Sequence, residues 1–273
     1  MQEKKTRLGI DIGGSHISAA VVANGKVLAQ KRVGIKIKTR KRFFTVLFDL
    51  IESLIDRKIK SIGVGFPSPI INGAAFEIHH LPYLEGVNIK KEIERKFRIK
   101  ASVDNDANCF ALAEAMLGAG KGKKSVVGIT LGTGMGCGIV IDGKIYSGNT
   151  GAAGEISKIP FKGGKLEDFA NAKFLKRWGD PKKLEDLAKK GNKKAKKAYA
   201  EFGKNLGTAL SIVINTLDPE IIVLGGKISN AYSLFRKEMI NEIRKNCYKY
   251  TAKKIKIVKS KLKDSAVLGA ALT

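Results

Sequence analysis

The sequence is short of several things, and each shortage closes off a class of protein. Only three cysteines occur in 273 residues, Cys109, Cys137 and Cys247. Scattered and odd in number, they fit neither a disulfide framework nor a paired CxxC zinc or redox motif, so a reducing compartment is the natural reading. No uncharged apolar stretch approaches the roughly 18 residues that a membrane-spanning helix needs. No apolar signal-peptide core precedes the run LGIDIGG, only the charged MQEKKTR, and a soluble, cytoplasmic protein is expected. No Pro- or Ser-rich linker divides the chain. Acids are scarce as well: 25 Asp plus Glu face 51 Lys plus Arg, a formal net charge of +26.

That excess raises nucleic-acid binding as a hypothesis. The cations are 41 Lys and only 10 Arg by count along the sequence, and Arg is the side chain whose fork reads bases and phosphates bidentately. The lysines are spread over the chain, densest from Lys182 to Lys197, where they alternate with Ala, Leu and Glu as a solvated helix face does. A lysine-rich surface is therefore expected in place of a nucleic-acid site. With 44% hydrophobic and 28% charged residues the chain is globular, and at roughly 100 to 200 residues per domain it forms one large domain or two compact lobes.

Residues 7–22, RLGIDIGGSHISAAVV, form an apolar run broken by Gly13 and Gly14. Asn24-Gly25 and a second run, KVLAQKRV, follow, which is the strongest short hairpin signal. The design returns at 125–146, SVVGITLGTGMGCGIVIDGKIY, with Asp142-Gly143 as its hairpin. Two copies of strand, glycine turn, strand and hairpin suggest internal duplication. Between them the pattern predicts a helix over 41–57, a strand at KSIGVGFPSPI, a helix over 88–98, the strand IKASVDND and the helix NCFALAEAMLGAG. Beyond residue 166 it is mainly helical, with strands EIIVLGG and KIKIVKS and a last short helix, SAVLGAALT. Alternating strands and helices make an α/β protein.

Asp11, Gly13, Gly14 and Ser15 occupy a tight turn directly after a hydrophobic strand. Glycines let backbone N–H groups approach phosphate oxygens, a Ser hydroxyl adds a donor, and a strand-end carboxylate can hold hydrated Mg²⁺. A plain glycine hairpin is the competing reading. The second turn, Leu131 to Gly136, alternates three glycines with Thr133, more than a hairpin requires. GAGKGKKS at 118–125 misses the P-loop spacing by one residue and reads as a helix stop before a basic loop. Gly225 and Gly226 end the strand EIIVLGG, either to let a nucleoside ring rest on backbone or simply to turn into a helix. Asp104, Asn105, Asp106 and Asn108 cluster where a strand meets a helix. One of them suffices as an N-cap; a second carboxylate can accept the proton of a hydroxyl that attacks a phosphoryl group. Glu155 and Glu167 add acceptors in glycine-rich loops, a set that suits a polyol.

The segments LGIDIGGSHI, GVGFPSPI, VDNDANCFALAE, GITLGTGMGCGIVIDGKIYSG, GAAGEIS, LEDFA and VINTLDPEIIVLGG together resemble, in order and spacing, the ROK family of sugar kinases within the actin-like ATPase superfamily. The resemblance runs from about residue 7 to the C-terminus. It implies a two-lobed actin-like ATPase (ribonuclease H-like) α/β fold, with mixed five-stranded sheets flanked by helices and a ligand cleft between the lobes. The small lobe would be 1–105 plus 262–273, and the large lobe 106–261. Position by position, it makes Asp106 the catalytic base, Asn105, Asp106, Glu155 and Glu167 sugar ligands, and the turn around Ser68 part of the sugar wall. Asp11, Gly13, Gly14 and Ser15, and Thr133 with Gly134, become phosphate sites; Gly225 and Gly226 become the adenosine site. Asp11 would hold Mg²⁺ through water, together with ATP.

The chain departs from the family pattern at several points. The His of the family's ExGH is Lys158 here, and FKGGK lacks the family's zinc-binding cysteines, so no zinc is expected. Lys158 then either contacts a sugar hydroxyl or is a solvated loop lysine. His16 follows the first glycine turn as a packing residue. His79 and His80 are adjacent and would face opposite sides of a strand. PSP replaces PGP at 67–69. The expected activity is an ATP-dependent hexokinase or glucokinase acting on the 6-hydroxyl of glucose or a related hexose. The alternatives are an N-acetylhexosamine or glucosamine kinase, a fructokinase, or a sugar-responsive regulator. Regulators of that kind carry a winged helix-turn-helix ahead of the first phosphate motif, which starts here at residue 8. A homodimer is the default oligomer.

Overall fold

The computed structural model describes residues 6–78 and 80–273. In chain order its first half runs β1 (Thr6–Ile12), β2 (His16–Ala23), β3 (Lys26–Gly34), α1 (Arg40–Glu52), β4 (Ile59–Phe66), the short pair β5 (Ile70–Ile71) and β6 (Ala74–Ala75), α2 (Ile89–Phe97), β7 (Ala101–Asn105) and α3 (Asp106–Met116). The second half runs β8 (Ser125–Leu131), β9 (Met135–Ile141), β10 (Lys144–Ile145), the short pair β11 (Pro160–Phe161) and β12 (Gly164–Lys165), α4 (Ala172–Lys176), α5 (Pro181–Lys189), α6 (Lys193–Leu217), β13 (Ile221–Gly225), α7 (Tyr232–Asn246), α8 (Lys249–Lys254), β14 (Lys256–Lys259) and α9 (Ser265–Leu272).

The duplication read in the sequence is present in the topology. One sheet is ordered β3-β2-β1-β4-β7 and the other β10-β9-β8-β13-β14, so both follow the same plan of hairpin followed by crossover strands. In the first, β2 lies antiparallel to β1, while β4 and β7 run parallel to it. The hairpin dipeptides behave as their chemistry requires: Asn24-Gly25 and Asp142-Gly143 all take positive φ, the conformation of a two-residue type I′ turn.

The chain forms two compact units, Met1–Gly122, Gly138–Ala153 and Leu262–Thr273 in one, Lys123–Cys137 and Gly154–Lys261 in the other. Besides the residues expected for the small lobe, the first unit takes in α3 with the loop after it to Gly122, and residues 138–153. The reason for α3 is its packing on α9. A Cβ added to Gly269 would lie 1.7 Å from the Cys109 carbonyl, and one on Gly63 1.7 Å from the Ala270 carbonyl. Backbone therefore meets backbone at these points, and only glycine fits. The core of this unit buries Leu8, Ile10, Phe43, Leu47, Ile62, Val64 and Phe66, each contributing roughly 1.5–3 kcal/mol. In the second unit, α6 buries Tyr199, Phe202, Leu206 and Leu210 against α7, whose inner face is Phe235, Met239 and Ile243.

Two helix boundaries differ from the periodicity. α1 ends at Glu52, short of residue 57, because Asp56 Oδ1 accepts the Lys58 N–H in a local turn that competes with helix. α3 begins two residues early, at Asp106, because the Asn105 side chain caps it. The loop that superficially resembles a P-loop is held by Glu220, whose carboxylate accepts the Lys124 and Ser125 N–H groups and has its pKa lowered mainly by the Lys124 bond. Among the described residues no helix is long and apolar enough to cross a membrane.

Candidate active site

In the first unit the candidate residues sit at the C-terminal ends of parallel strands, where open α/β sheets place ligands. Asp11 is the penultimate residue of β1 and is half-buried. Burial pushes its carboxyl pKa up, partly opposed by the Arg32 guanidinium. The turn after it is closed by Gly13 N–H donating to the His16 carbonyl (2.9 Å) and by Ile35 N–H donating to the Ser15 carbonyl (2.9 Å). His16 opens β2, and its Nδ1 lies 3.1 Å from Ser15 Oγ. Gly13 and Gly14 take negative φ, and a Cβ on either would come no nearer than 3.4 Å to any neighbour. The fold itself does not demand glycine there, so close approach by something else is the better account of both.

At the end of β7, parallel pairing with β4 sets Asn105 beside Phe66. The Asn105 carbonyl oxygen Oδ1 accepts from Ala107 N–H (2.8 Å) and Asn108 N–H, while Nδ2 points to the Ser68 carbonyl at 3.4 Å. Ser68 is buried, and its hydroxyl turns to the Pro69 carbonyl at 3.4 Å. Ser68 thus meets Asn105 through backbone. Asp106 is the first residue of α3, where the helix N-terminus favours a negative charge, and its Oδ1 accepts the Ala107 N–H at 2.8 Å. Asp104, two residues earlier in β7, accepts from Asn105 N–H and Asn108 Nδ2, both at 2.7 Å. Its pKa is raised by burial, against those two bonds. Oδ1 of Asn108, on a residue only 2% exposed, has no hydrogen-bond partner among the described residues.

Asp104, Asp106 and Asp11 all lie within electrostatic reach of one buried atom, the Cys109 thiol. Burial and these three charges hold that thiol well above its ordinary pKa, which makes it an inert packing group. Among the described residues no three of His, Cys, Asp and Glu are grouped as a protein-only metal site needs. His79 lies outside the described residues, and the His80 ring sits beside Gly14.

In the second unit, the turn between β8 and β9 presents Thr133 and Gly134 to solvent. It is closed by Gly132 N–H donating to the Gly134 carbonyl (3.0 Å) and tied to the start of α4 by Ala172 N–H donating to the Gly132 carbonyl (2.9 Å). A Cβ on Gly132 would meet nothing within 4 Å; on Gly134 it would meet only Glu167 Oε2, at 3.4 Å. Glu167 lies on a single 3₁₀ turn, Leu166–Phe169, and Glu155 directly precedes another, Ile156–Lys158. Leu166 N–H donates to the Ile159 carbonyl at 3.0 Å, so the two turns pack together. Glu155 stands near Cys137, whose thiol is pushed up to about 12, first by burial and then by that carboxylate. Lys158 ends its turn on the exposed side. Gly226 has φ +80°, and a Cβ there would lie 2.2 Å from the Leu131 carbonyl. Its being glycine is explained by that approach without any nucleoside. It follows Gly225, the buried last residue of β13.

Sequence reasoning missed Lys162 and Asn205, which bond each other across 43 residues and reach the Phe169 carbonyl, and Asn171, which caps α4 through the Phe174 N–H. Asn171 carried the Asn-before-helix signal; the other two carried none.

A model of the ROK family matches residues 7–273. The N-acetyl-D-glucosamine kinase of Vibrio cholerae is 33% identical over 242 residues, covering 77% of this chain and 79% of that one. The xylose repressor of Caldicellulosiruptor bescii is 28% identical, covering 96% of this chain and 75% of its own length. Among solved structures, a ROK family glucokinase from Streptomyces griseus, in complex with glucose and AMPPNP, superposes with a TM-score of 0.80 at 22% identity, covering 97% of this chain and 98% of that one.

Proposed function

The chain belongs to the ROK family, and we propose that it is a sugar kinase transferring the γ-phosphoryl of ATP to a hexose hydroxyl. The observation that carries this reading is the strand-end cluster of Asp11, Asp104 and Asp106 in one half of a duplicated sheet, with a solvent-facing Thr-Gly turn in the other half. In this reading Asp106 accepts the proton of the attacking hydroxyl, aided by its seat at the helix start. Asn105 Nδ2, Glu155 and Glu167 bind sugar hydroxyls, and Lys158, three residues after Glu155, contacts a further one. Backbone N–H groups of the Gly13–Ser15 and Thr133–Gly134 turns take phosphate oxygens. Gly225 and Gly226 serve the adenosine end.

The half-buried carboxylate of Asp11 would hold a hydrated Mg²⁺, since a cation offsets the cost of ionising it there. When bound there, Mg²⁺ would neutralise charge developing on the transferring phosphoryl group. Catalysis then rests on positioning and electrostatics.

Glucose and its relatives, phosphorylated at the 6-hydroxyl, are the proposed substrates. N-acetylglucosamine is the second reading, favoured by the Vibrio cholerae relative. Coupled ADP release with MgATP and glucose, mannose, fructose, glucosamine and N-acetylglucosamine tests both. A kcat/KM at least tenfold higher for one sugar assigns the substrate. Absence of turnover on all five would overturn the kinase reading, and sugar-binding calorimetry would then test a regulator. A cytoplasmic homodimer is part of the same proposal, checked by light scattering.

A further inference from the structure

Three two-residue hairpin turns with positive φ at both positions use Asn-Gly or Asp-Gly: Asn24-Gly25, Asn72-Gly73 and Asp142-Gly143. The turn joining β11 to β12 has the same signs of φ, +49° and +76°, but is Lys162-Gly163. A lysine is poorly suited to that conformation, whereas Asn, Asp and Gly adopt it readily. Something other than turn chemistry must account for it, and the side chain supplies the reason. Lys162 Nζ donates to Asn205 Oδ1 at 2.8 Å and lies 5.0 Å from the Phe161 ring centre and 5.9 Å from that of Phe169. The two rings meet edge to face at 5.4 Å, and the Arg177 guanidinium lies 5.6 Å from the Phe169 ring centre.

Asn205, on α6, is 2% exposed. Its other end, Nδ2, donates to the Phe169 carbonyl at 3.2 Å. Phe169 closes the same 3₁₀ turn that carries Glu167. A single buried amide therefore joins the lysine to the turn that sets Glu167 beside Gly134. Removing the ammonium leaves Asn205 Oδ1 a buried acceptor without this donor, and takes the cation from between two rings.

We propose that Lys162 is a positioning residue: through Asn205 and the Phe161–Phe169 pair it fixes the Leu166–Phe169 turn and so aims the Glu167 carboxylate at a sugar hydroxyl. This rests on the reading of Glu167 as a sugar ligand. The test compares wild type, Lys162→Met, Lys162→Arg, Glu167→Gln and the Lys162→Met/Glu167→Gln double variant, measuring kcat and both KM values with the best sugar.

Lys162→Met should raise the sugar KM about tenfold, with ATP KM and kcat within about threefold of wild type, and Lys162→Arg should recover most of the loss. In the Glu167→Gln background the Lys162→Met effect should largely vanish, because both act through one carboxylate. A sugar KM unmoved in Lys162→Met, or sugar and ATP KM rising together, would overturn the positioning role while a raised KM in Glu167→Gln still upheld the sugar ligand. A Glu167→Gln variant with unchanged sugar KM would sink both. Should Lys162→Met fail to fold, Lys162→Gln, which keeps a donor but no charge, carries the same comparison.

Discussion

Set the turn after β1 beside the turn after β8, and the duplicated frame can be compared position for position. Ile10, Asp11, Ile12 and Gly13 correspond to Ile129, Thr130, Leu131 and Gly132. Asp11 and Thr130 are both half-buried next to the last residue of mostly buried strands, so the same spot holds a carboxylate in one copy and a hydroxyl in the other. The fifth strands diverge further. β7 runs into Asn105, whose side chain caps α3, while β14 leads to α9 through Asp264 in a left-handed conformation with no side-chain cap. Duplication supplies two equivalent strand ends, and substitution has made one acidic and the other neutral. In the proposed reaction both turns meet phosphate, and that asymmetry gives the cation and the proton acceptor to the acidic end alone.

The largest effect that would test this contrast is at the acidic end. Asp106→Asn should lower kcat by about 10³ or more with little change in either KM, read by coupled ADP release, while circular dichroism stays unchanged because the helix cap is Asn105. A loss under tenfold would move the base elsewhere. Next comes the steric contrast between two glycines. Gly269→Ala places a methyl on a carbonyl and should cost about 3 kcal/mol in urea unfolding. Gly132→Ala, with open space around it, should leave stability within about 0.5 kcal/mol and raise the ATP KM instead.

The matched pair Asp11→Asn and Thr130→Val probes the strand ends themselves. The first should cost about tenfold or more in kcat and raise the Mg²⁺ concentration needed, and the second less than about threefold. Equal effects would erase the proposed division of labour. The smallest effect concerns pH. Burial raises the Asp104 pKa in the folded state, so the protonated form is favoured by folding. Its contribution to stability is full below the unfolded value and is lost as pH rises through the folded value. Asp104→Asn should therefore gain a few degrees in Tm over wild type near pH 7, a gain that shrinks toward pH 4, seen by thermal melts across that range.

Those strand ends were legible because their signals are local. Asn-Gly and Asp-Gly dictate turn conformation within two residues, Asp104, Asn105, Asp106 and Asn108 fall within five positions, and Asp11 directly precedes its own glycine turn. The rest depends on groups far apart in sequence. Lys162 and Asn205 are 43 residues apart. Ser68 meets Asn105, 37 residues on, through its backbone carbonyl. Gly226 is glycine because of Leu131, almost a hundred residues earlier in the sequence. Even the place of α3 in the first unit depends on a glycine on α9, which no periodicity within α3 can reveal.

The closeness of α9 to β1 and β4 also sets an order of events during synthesis. Gly9 and Gly63 meet the backbone of α9 directly, yet some 250 residues separate β1 from that helix in the sequence. At about 5–20 residues per second, a ribosome leaves the inner strands of the first sheet without this cover for roughly ten to fifty seconds. Ala20, Val22 and Ala113, which share a core cluster with Val267, Leu268 and Ala271, must wait that long, in the cell, for the helix that completes their unit. The first half of the chain is thus among the first parts made and among the last to finish folding, an interval in which a chaperone has the most to do.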